Sequence, residues 1–512
     1  MKISKIQLFI LSTLVLLGVI CYFFPSEGIQ IGDFRLEFPS LAEVLTLNKD
    51  TEEEEEHELT PEELMELQMQ AVMAAQDSAF LDFCYNSPIR IAMPKLHVLV
   101  PDSVTMDSLR LLGDSTEVWI DSLTQEPNLA YLDSFFMALD SACVRQMRIV
   151  HYGDSQIEED RITASLRQHF QEEFGGFGPG MQPAIQTVRK MTVRQSSSQD
   201  LPYYLAYGPA SVRARHKGYG PMAQVSHVNG SVTLKYTGLK SERFPNCGRF
   251  DKVTLLRSDS AGNLVCEVQE FDSARTVTQV TVDGPADIYG VLLDSKTGVV
   301  MDNVPMRGCS GAIFTNIARG TLEPFYQHEN VQMIILQYGG NSVPYLKTEE
   351  SLVNFCNNLR KQIRYFQSMV PEARILFIGP SDMSTTVKGE LMTYPMLPRL
   401  VELLEEAVTE EGAAFWNMYE AMGGRGSMIQ WVKSRPQLAG EDYVHFTHKG
   451  AEKVSDLLYE TISMYYKYFK FRRGEMEIEL PCDSVPSDSV CVDSIDALKT
   501  IKLGNGNTET AR

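Results

Sequence analysis

A chain of 512 residues that is 44% hydrophobic and 22% charged is long enough to bury two or three cores joined by linkers. Its net charge of −21 excludes a nucleic-acid surface, which needs clustered Lys and Arg. The nine cysteines fall at irregular spacing and give no disulfide framework. No dense His–Cys cluster points to a metal site, and no motif implies a cofactor.

The chain opens on an apolar stretch, Ile6 to Phe24, interrupted only by Gln7, Ser12 and Thr13 as clearly polar residues. At about 1.5 Å per residue a helix of this length matches the hydrocarbon thickness of a bilayer. Lys2 and Lys5 precede it and acidic residues dominate after it, so the positive-inside rule puts the rest of the chain outside the cytoplasm. No small-residue cleavage site follows, which favours an uncleaved anchor over a removed signal peptide. Ile20 before Cys21 is too large for a typical lipobox. Residues 25–140 then read as an acidic stalk. Glu52 to Glu56 is a run of like charge, expected to be solvated, and Thr60-Pro61 starts a helix that Leu64 to Ala75 continues. Tyr131 to Ala142 is amphipathic and expected to pack on the domain that follows.

That domain begins with Met147-Arg-Ile-Val-His-Tyr-Gly-Asp-Ser-Gln156. A short apolar strand runs into Gly153-Asp154-Ser155, and a helix is expected over Glu158 to Glu173, with Ile162, Leu166 and Phe170 at four-residue spacing. A serine at a strand-to-helix turn sits at the carboxyl end of a sheet, where α/β proteins build their sites, with its N–H near a helix N-terminus. A second Gly-Asp-Ser, Gly113 to Ser115, has no comparable helix after it. From about Met191 to Asp294 the period changes. Ser231 to Tyr236, Lys252 to Leu256, Leu264 to Val268 and Thr276 to Val282 are short β-rich runs between turns, as in a β-sandwich or jelly roll. Ile288 to Met301 is expected to rejoin a parallel sheet. Strands and helices then alternate: Gln332 to Gln337, Ser351 to Met369, Ile375 to Ile378, Pro395 to Glu410, Ala413 to Asn417 and Lys449 to Tyr465. Such alternation means a parallel sheet with helices on both faces. Before the last helix, capped by Thr447, stands Asp442-Tyr-Val-His445. It offers Ser155 a base and a carboxylate to orient that base.

Four segments in this order resemble the motif blocks of the SGNH (GDSL-type) esterases and lipases. Gly153-Asp154-Ser155 resembles the first block, which makes Ser155 the nucleophile. Gly308-Cys-Ser-Gly311 resembles the second, whose glycine lends a backbone N–H to the oxyanion hole; Gly311 fits better, with Gly308 as the fallback. Gln337-Tyr-Gly-Gly-Asn341 resembles the third, whose asparagine is a further oxyanion donor. Asp442 and His445 resemble the fifth, with His445 as general base. Ser342 departs from the pattern, since an acid usually follows the asparagine. The oxyanion hole implied is therefore Ser155, Gly311 and Asn341, and no metal or other cofactor is implied.

A β-sandwich between the first and second blocks resembles the architecture of peptidoglycan O-acetylesterases and O-acetyltransferases, whose inserted module looks like a carbohydrate-binding domain. Tyr203, Tyr204, Tyr207, Tyr219 and Tyr236 are candidates there for sugar stacking or for packing. The resemblance implies an α/β fold of flavodoxin-like SGNH type, with a parallel sheet between helices over residues 141–190 and 295–470. The jelly-roll-like insert occupies residues 191–294, an N-terminal transmembrane helix residues 1–24, and a polar, disordered tail residues 471–512, where Cys482 and Cys491 are candidates for a small disulfide. The implied activity is a Ser-His-Asp esterase on O-acetyl groups of cell-wall or other polysaccharide, anchored in the inner membrane with its catalytic domain in the periplasm. The alternatives are an O-acetyltransferase, with a membrane-bound acyltransferase as partner, and a non-catalytic glycan-binding scaffold.

Overall fold

The computed structural model describes residues 29–31 and 34–36, most of residues 78–95, and residues 127–475. The chain divides into two units, Met1–Ala75 and Gln76–Arg512. In the first, β1 (Ile29–Ile31) and β2 (Phe34–Leu36) pair as an antiparallel hairpin. The expected membrane span Ile6 to Phe24, the helix over Leu64 to Ala75, the second Gly-Asp-Ser, and Cys482 and Cys491 all lie outside the described residues. Among the described residues no helix is long and apolar enough to cross a membrane.

In the second unit, β3 (Ile91–Ala92) and α1 (Asp133–Asp140) precede β4 (Gln146–Gly153) and α2 (Thr163–Phe174). Nine strands follow: β5 (Gly180–Gln182), β6 (Val193–Ser197), β7 (Tyr203–Leu205), β8 (Gln224–Val228), β9 (Ser231–Gly238), β10 (Phe250–Ser258), β11 (Leu264–Arg275), β12 (Val277–Asp283) and β13 (Ala286–Asp294). The chain continues through β14 (Gly298–Pro305), α3 (Glu323–His328), β15 (Val331–Gln337), α4 (Glu349–Met369) and β16 (Arg374–Ile378). It ends with the hairpin β17 (Ser384–Val387) and β18 (Glu390–Thr393), α5 (Leu397–Glu410), β19 (Ala414–Trp416), α6 (Met418–Ala421), α7 (Ser427–Lys433) and α8 (His448–Arg472).

The central sheet has the order β14-β4-β15-β16-β19-β3. All its pairings are parallel except the edge pair β19 with β3. Successive side chains of a strand point to opposite faces, and here they feed two cores. Met147, Ile149, Met333, Ile335, Leu376 and Ile378 enter the core shared with α1, α2, α7 and α8. Val150, Tyr152, Ile334, Leu336, Ile375 and Phe377 enter the core shared with α3, α4 and α5. Burial on both faces explains why these strands read as continuous apolar runs.

The expected stalk 25–140 is shorter than its sequence suggested. Ile91–Ala92 extends the central sheet, and Phe80, Phe83, Phe135, Phe136 and Leu139 are buried in the first of those cores. Acidic and Asp-Ser composition between these segments masked short apolar pieces that bury only in tertiary contact.

The insert is a two-sheet antiparallel sandwich. Its larger sheet has the order β11-β10-β13-β8-β7, with β5 on β13, and its smaller sheet has the order β12-β9-β6. Val232, Leu234 and Tyr236 of the smaller sheet share a core with Val253, Leu255, Val291 and Leu293 of the larger. The module therefore starts at Gly180, before the expected residue 191, because β5 pairs with β13. Ile288 to Asp294 belongs to it and does not rejoin the parallel sheet; only Gly298–Pro305 does. The cause is burial: the far side of the larger sheet contributes Val225, Leu256, Tyr289 and Leu292 to the core of α3, α4 and α5. An antiparallel strand covered on both faces reads like a parallel one.

At the end of the insert, Asp294 joins a buried ion cluster. Arg148 donates to Asp294, to Asp302 (2.7 Å) and to Glu329 (3.0 Å), all with fully buried side chains. Burial raises the Asp294 carboxyl to about 6 despite Arg148, whereas Arg148, His328 and Lys252 outweigh burial at Glu329 and hold it near 2.

Candidate active site

Three turns that could carry chemistry leave the sheet at one level. Gly153 at the end of β4 pairs with Pro305 of β14 on one side and with Gln337 of β15 on the other. The chain thus turns to opposite sides of β4, the switch point at which open α/β sheets form their crevice. The segments beyond these strand ends hold Ser155, Gly311 and Asn341, and the loop before α8 brings His445 to the same place.

Ser155 Oγ lies 2.8 Å from His445 Nε2, and His445 Nδ1 lies 2.7 Å from Asp442 Oδ2. Asp442 Oδ1 also accepts the backbone N–H groups of Val444 and His445, each at 3.0 Å. Partial burial works against the Asp442 carboxylate. The hydrogen bonds from His445 and from the two N–H groups outweigh it and hold the carboxyl below its ordinary range. The pair therefore fixes the imidazole tautomer with Nε2 free to accept the serine proton. The sequence-expected nucleophile, base and orienting acid are all brought together.

The expected oxyanion donors are not equally placed. Asn341 Nδ2 donates to Asp154 Oδ2 (3.1 Å) and to the Cys309 carbonyl (3.2 Å). The Gly311 N–H points at Cys309 Sγ (3.3 Å), a weak acceptor. Ser155 N–H has no protein acceptor among the described residues. Gly311 has a φ of +86°, and a Cβ there would stand 2.7 Å from the Tyr338 ring, so its lack of a side chain serves packing as well. Gly308, the fallback, has a φ of +72° and open space around it. Ser342 uses its carbonyl to accept the N–H groups of Tyr345 and Leu346.

The expected helix over Glu158 to Glu173 begins late. Ser155–Asp160 is a 3₁₀ segment with a kink, and α2 starts only at Thr163. Glu159 and Asp160 have φ of +62° and +69°, a strained conformation for side-chain-bearing residues. Tertiary bonds hold it: Arg307 grips Glu158 with two hydrogen bonds, and Arg167 and Thr192 bond Asp160. Ser155 thus rides on a single braced turn and is not at the mouth of a long helix dipole.

The sequence assigned no role to Gln156, Arg161 or Asp154. The Gln156 amide donates to the Val444 carbonyl (2.6 Å) and accepts the Phe446 N–H (3.3 Å), so it holds the chain on both sides of His445. Arg161 donates to the Phe446 carbonyl (3.1 Å). Burial pushes the Asp154 carboxyl up to about 6, against the Gln156 N–H and His445. No spacing rule marks Gln156, because its partners stand about 290 residues away. As a positioning residue it has a distinctive signature. Gln156→Ala should lower kcat on an ester by about 10–100-fold with KM within about twofold, as a misplaced base does. A raised KM with intact kcat would put Gln156 in substrate binding instead.

His151 is not a rival base. It is fully buried between Gln337 Oε1 and Thr163 Oγ1, each at 3.0 Å, and burial lowers it to about 4. Of the tyrosines considered for sugar stacking, Tyr236 and Tyr219 are buried, with hydroxyls bonded to the Pro183 carbonyl and the Ala214 N–H. Among the described residues one group, Cys266, His328 and Glu329, places metal-ligating atoms within 4.8 Å of one another. Glu329 there is already bonded to Arg148 and His328. The cleft at Ser155 and His445 has a volume of about 240 Å³ and is walled also by Asn341, Tyr345, Met383 and Tyr394. A wider depression of about 480 Å³ on one face of α4, between Asn354 and Arg364, holds no nucleophile beside a base.

A solved structure of a peptidoglycan O-acetylesterase superimposes with a TM-score of 0.54 at 18% identity, covering 66% of this chain and 96% of that one. With the parallel sheet, the switch-point crevice and the insert after the first turn, that match decides the architecture. This is the SGNH hydrolase fold. Two further structures overlap it less: a putative GDSL-like lipase from Parabacteroides merdae (TM-score 0.24, 14% identity, 33% of this chain and 74% of that one) and a carbohydrate acetylesterase from Sinorhizobium meliloti (TM-score 0.23, 11% identity, 32% and 78%). No protein-family model and no curated protein matches the sequence. Within the SGNH fold, sequence blocks one and five meet at hydrogen-bond distance. Asn341 of block three lines the same cleft with its amide bonded elsewhere, whereas Gly308 to Gly311 are not among the residues that line it.

Proposed function

We propose that this SGNH-fold protein is a serine esterase that removes O-acetyl groups from a glycan. The observation that carries the proposal is the hydrogen-bonded series Ser155–His445–Asp442 at the floor of an open cleft. The likeness of fold to a peptidoglycan O-acetylesterase supports the acetylated-glycan substrate.

The steps follow from the geometry. His445 Nε2 takes the Ser155 hydroxyl proton as Oγ attacks the ester carbonyl, and Asp442 stabilises the imidazolium that forms. The Ser155 N–H donates to the developing oxyanion. Asn341 joins it by giving up its bond to the Cys309 carbonyl, since catalytic hydrogen bonds often form only in the reacting complex. The tetrahedral species collapses, the alkoxide leaves with the proton from His445, and the acyl group remains on Ser155. Water, deprotonated by His445, then releases acetate and restores the serine. The apolar stretch Ile6 to Phe24 after Lys2 and Lys5 supports placement of this domain outside the inner membrane, in the periplasm.

Labelling of fractionated cells with a serine-reactive fluorophosphonate tests both statements. The expected result is labelling of the full-length chain in the salt-washed membrane fraction, absent in Ser155→Ala, together with acetate release from O-acetylated cell-wall glycan by the purified protein. An unlabelled wild-type protein that releases no acetate would sink the esterase. A labelled soluble form would sink the anchor.

A further inference from the structure

Tyr345 is 81% exposed, whereas the next most exposed aromatic among the described residues, Tyr203, is 39% exposed. It stands on the wall of the cleft that holds Ser155 and His445. The turn that carries it is firmly set. Val343 N–H bonds the Gly340 carbonyl, and the N–H groups of Tyr345 and Leu346 bond the Ser342 carbonyl at 2.9 and 3.2 Å. Val343 and Leu346, on either side, are buried at 2% and 9% exposure. Two flanking side chains thus anchor the turn in the core while the ring between them is presented to solvent.

An isolated exposed apolar side chain needs no explanation. Three features set this one apart: its degree of exposure, its rigid mounting and its place beside the reacting serine. The cleft supplies the remaining constraint. At about 240 Å³ it is smaller than the roughly 300–1,000 Å³ that encloses a whole drug-sized ligand. It therefore takes in the short acyl end of an ester and leaves the alcohol part at the rim, where Tyr345 stands. The glycan ester proposed above has a sugar as that alcohol part. A ligand with hydroxyls on its edge and C–H groups on its face is a pyranose ring, and a flat aromatic is the surface on which such a face packs. Resting on the esterase proposed above, we infer that Tyr345 is the stacking platform for the sugar ring that bears the scissile ester.

The test compares an O-acetylated methyl hexoside with triacetin, an acyclic acetate that has no ring face, for the full-length wild type, Tyr345→Ala and Tyr345→Trp. Acetate release is measured by pH-stat. Tyr345→Ala should raise the ratio of KM for the hexoside to KM for triacetin by about 5–10-fold, because lost ground-state stacking appears in KM and not in kcat. Tyr345→Trp should restore the ratio. An unchanged ratio in Tyr345→Ala, or equal losses on both esters, would overturn the platform. If wild type hydrolyses neither ester, the esterase falls, and calorimetric titration with the same hexoside decides the platform separately. Binding weakened by Tyr345→Ala and restored by Tyr345→Trp supports it; absent or equal binding overturns it.

Discussion

Ser155→Ala should lower kcat on an aryl acetate by about 10⁴–10⁶-fold, because nucleophile, base and orienting acid act as one unit. The melting temperature should not move, since the hydroxyl is half-buried and its one hydrogen bond is to His445. His445→Ala should cost about as much as Ser155→Ala. Asp442→Asn should cost less, about 10²–10⁴-fold: the amide cannot serve the imidazole and both backbone donors at once, yet its site is half open to water. Steady-state rates for the three variants check the ranking. Full activity in Ser155→Ala with loss in Ser115→Ala would show that the other Gly-Asp-Ser carries the nucleophile.

Excising residues 191–294 behind a Gly/Ser bridge should leave no folded protein, although Ser155, Asp442 and His445 all lie outside the cut. The sequence suggests a separable module, and on that view a small ester would still be hydrolysed. The structure argues otherwise for four reasons. β5 would lose its partner β13, Arg148 would lose Asp294 from its buried cluster, and Asp160 would lose the Thr192 hydroxyl that braces the nucleophile turn. The core over α3, α4 and α5 would also lose Tyr219, Met222, Val225, Leu256, Tyr289 and Leu292. Each such side chain is worth about 1.5–3 kcal/mol on burial, so the six together match or exceed the whole stability of about 5–15 kcal/mol of a typical domain. Circular dichroism and a thermal melt of the excised protein give the answer. A cooperative melt with retained aryl esterase activity would show the insert to be dispensable after all.

Elements held by interactions local in the chain are legible in the sequence, and those held by distant ones are not. Helix α4 was legible because its apolar residues repeat at helical spacing, a local property, although it starts at Glu349 behind a Thr348 cap and not at the expected Ser351. α8 was legible for the same reason, with Thr447 accepting the Gly450 N–H. The module's edges were not. Tyr289 to Leu293 is apolar on both faces because one side meets the smaller sheet and the other meets the hydrolase core, and an apolar run does not say which neighbours cover it. Phe80 and Ile91 were hidden likewise within a stretch whose average composition is acidic.

In the site the same division holds. Ser155, Asp442 and His445 could be named from sequence because each stands in a short segment whose chemistry is self-contained: a turn after a strand, and an acid three residues before an imidazole that folds back on it. The sequence by itself determined the class of sheet, the succession β4, α2, β15, α4, β16, α5, β19 and α8 along the chain, and which residue types could supply nucleophile, base and acid. Only the tertiary structure decided that Gln156 holds both sides of His445, that Asn341 and Gly311 have their donors engaged, that Glu159 and Asp160 are held at positive φ, and that Tyr345 stands open at the cleft. The physical reason is distance along the chain. Periodicity and caps act over a few residues, whereas hydrogen bonds between groups 30 to 290 positions apart exist only once the sheet has brought its strand ends to one level.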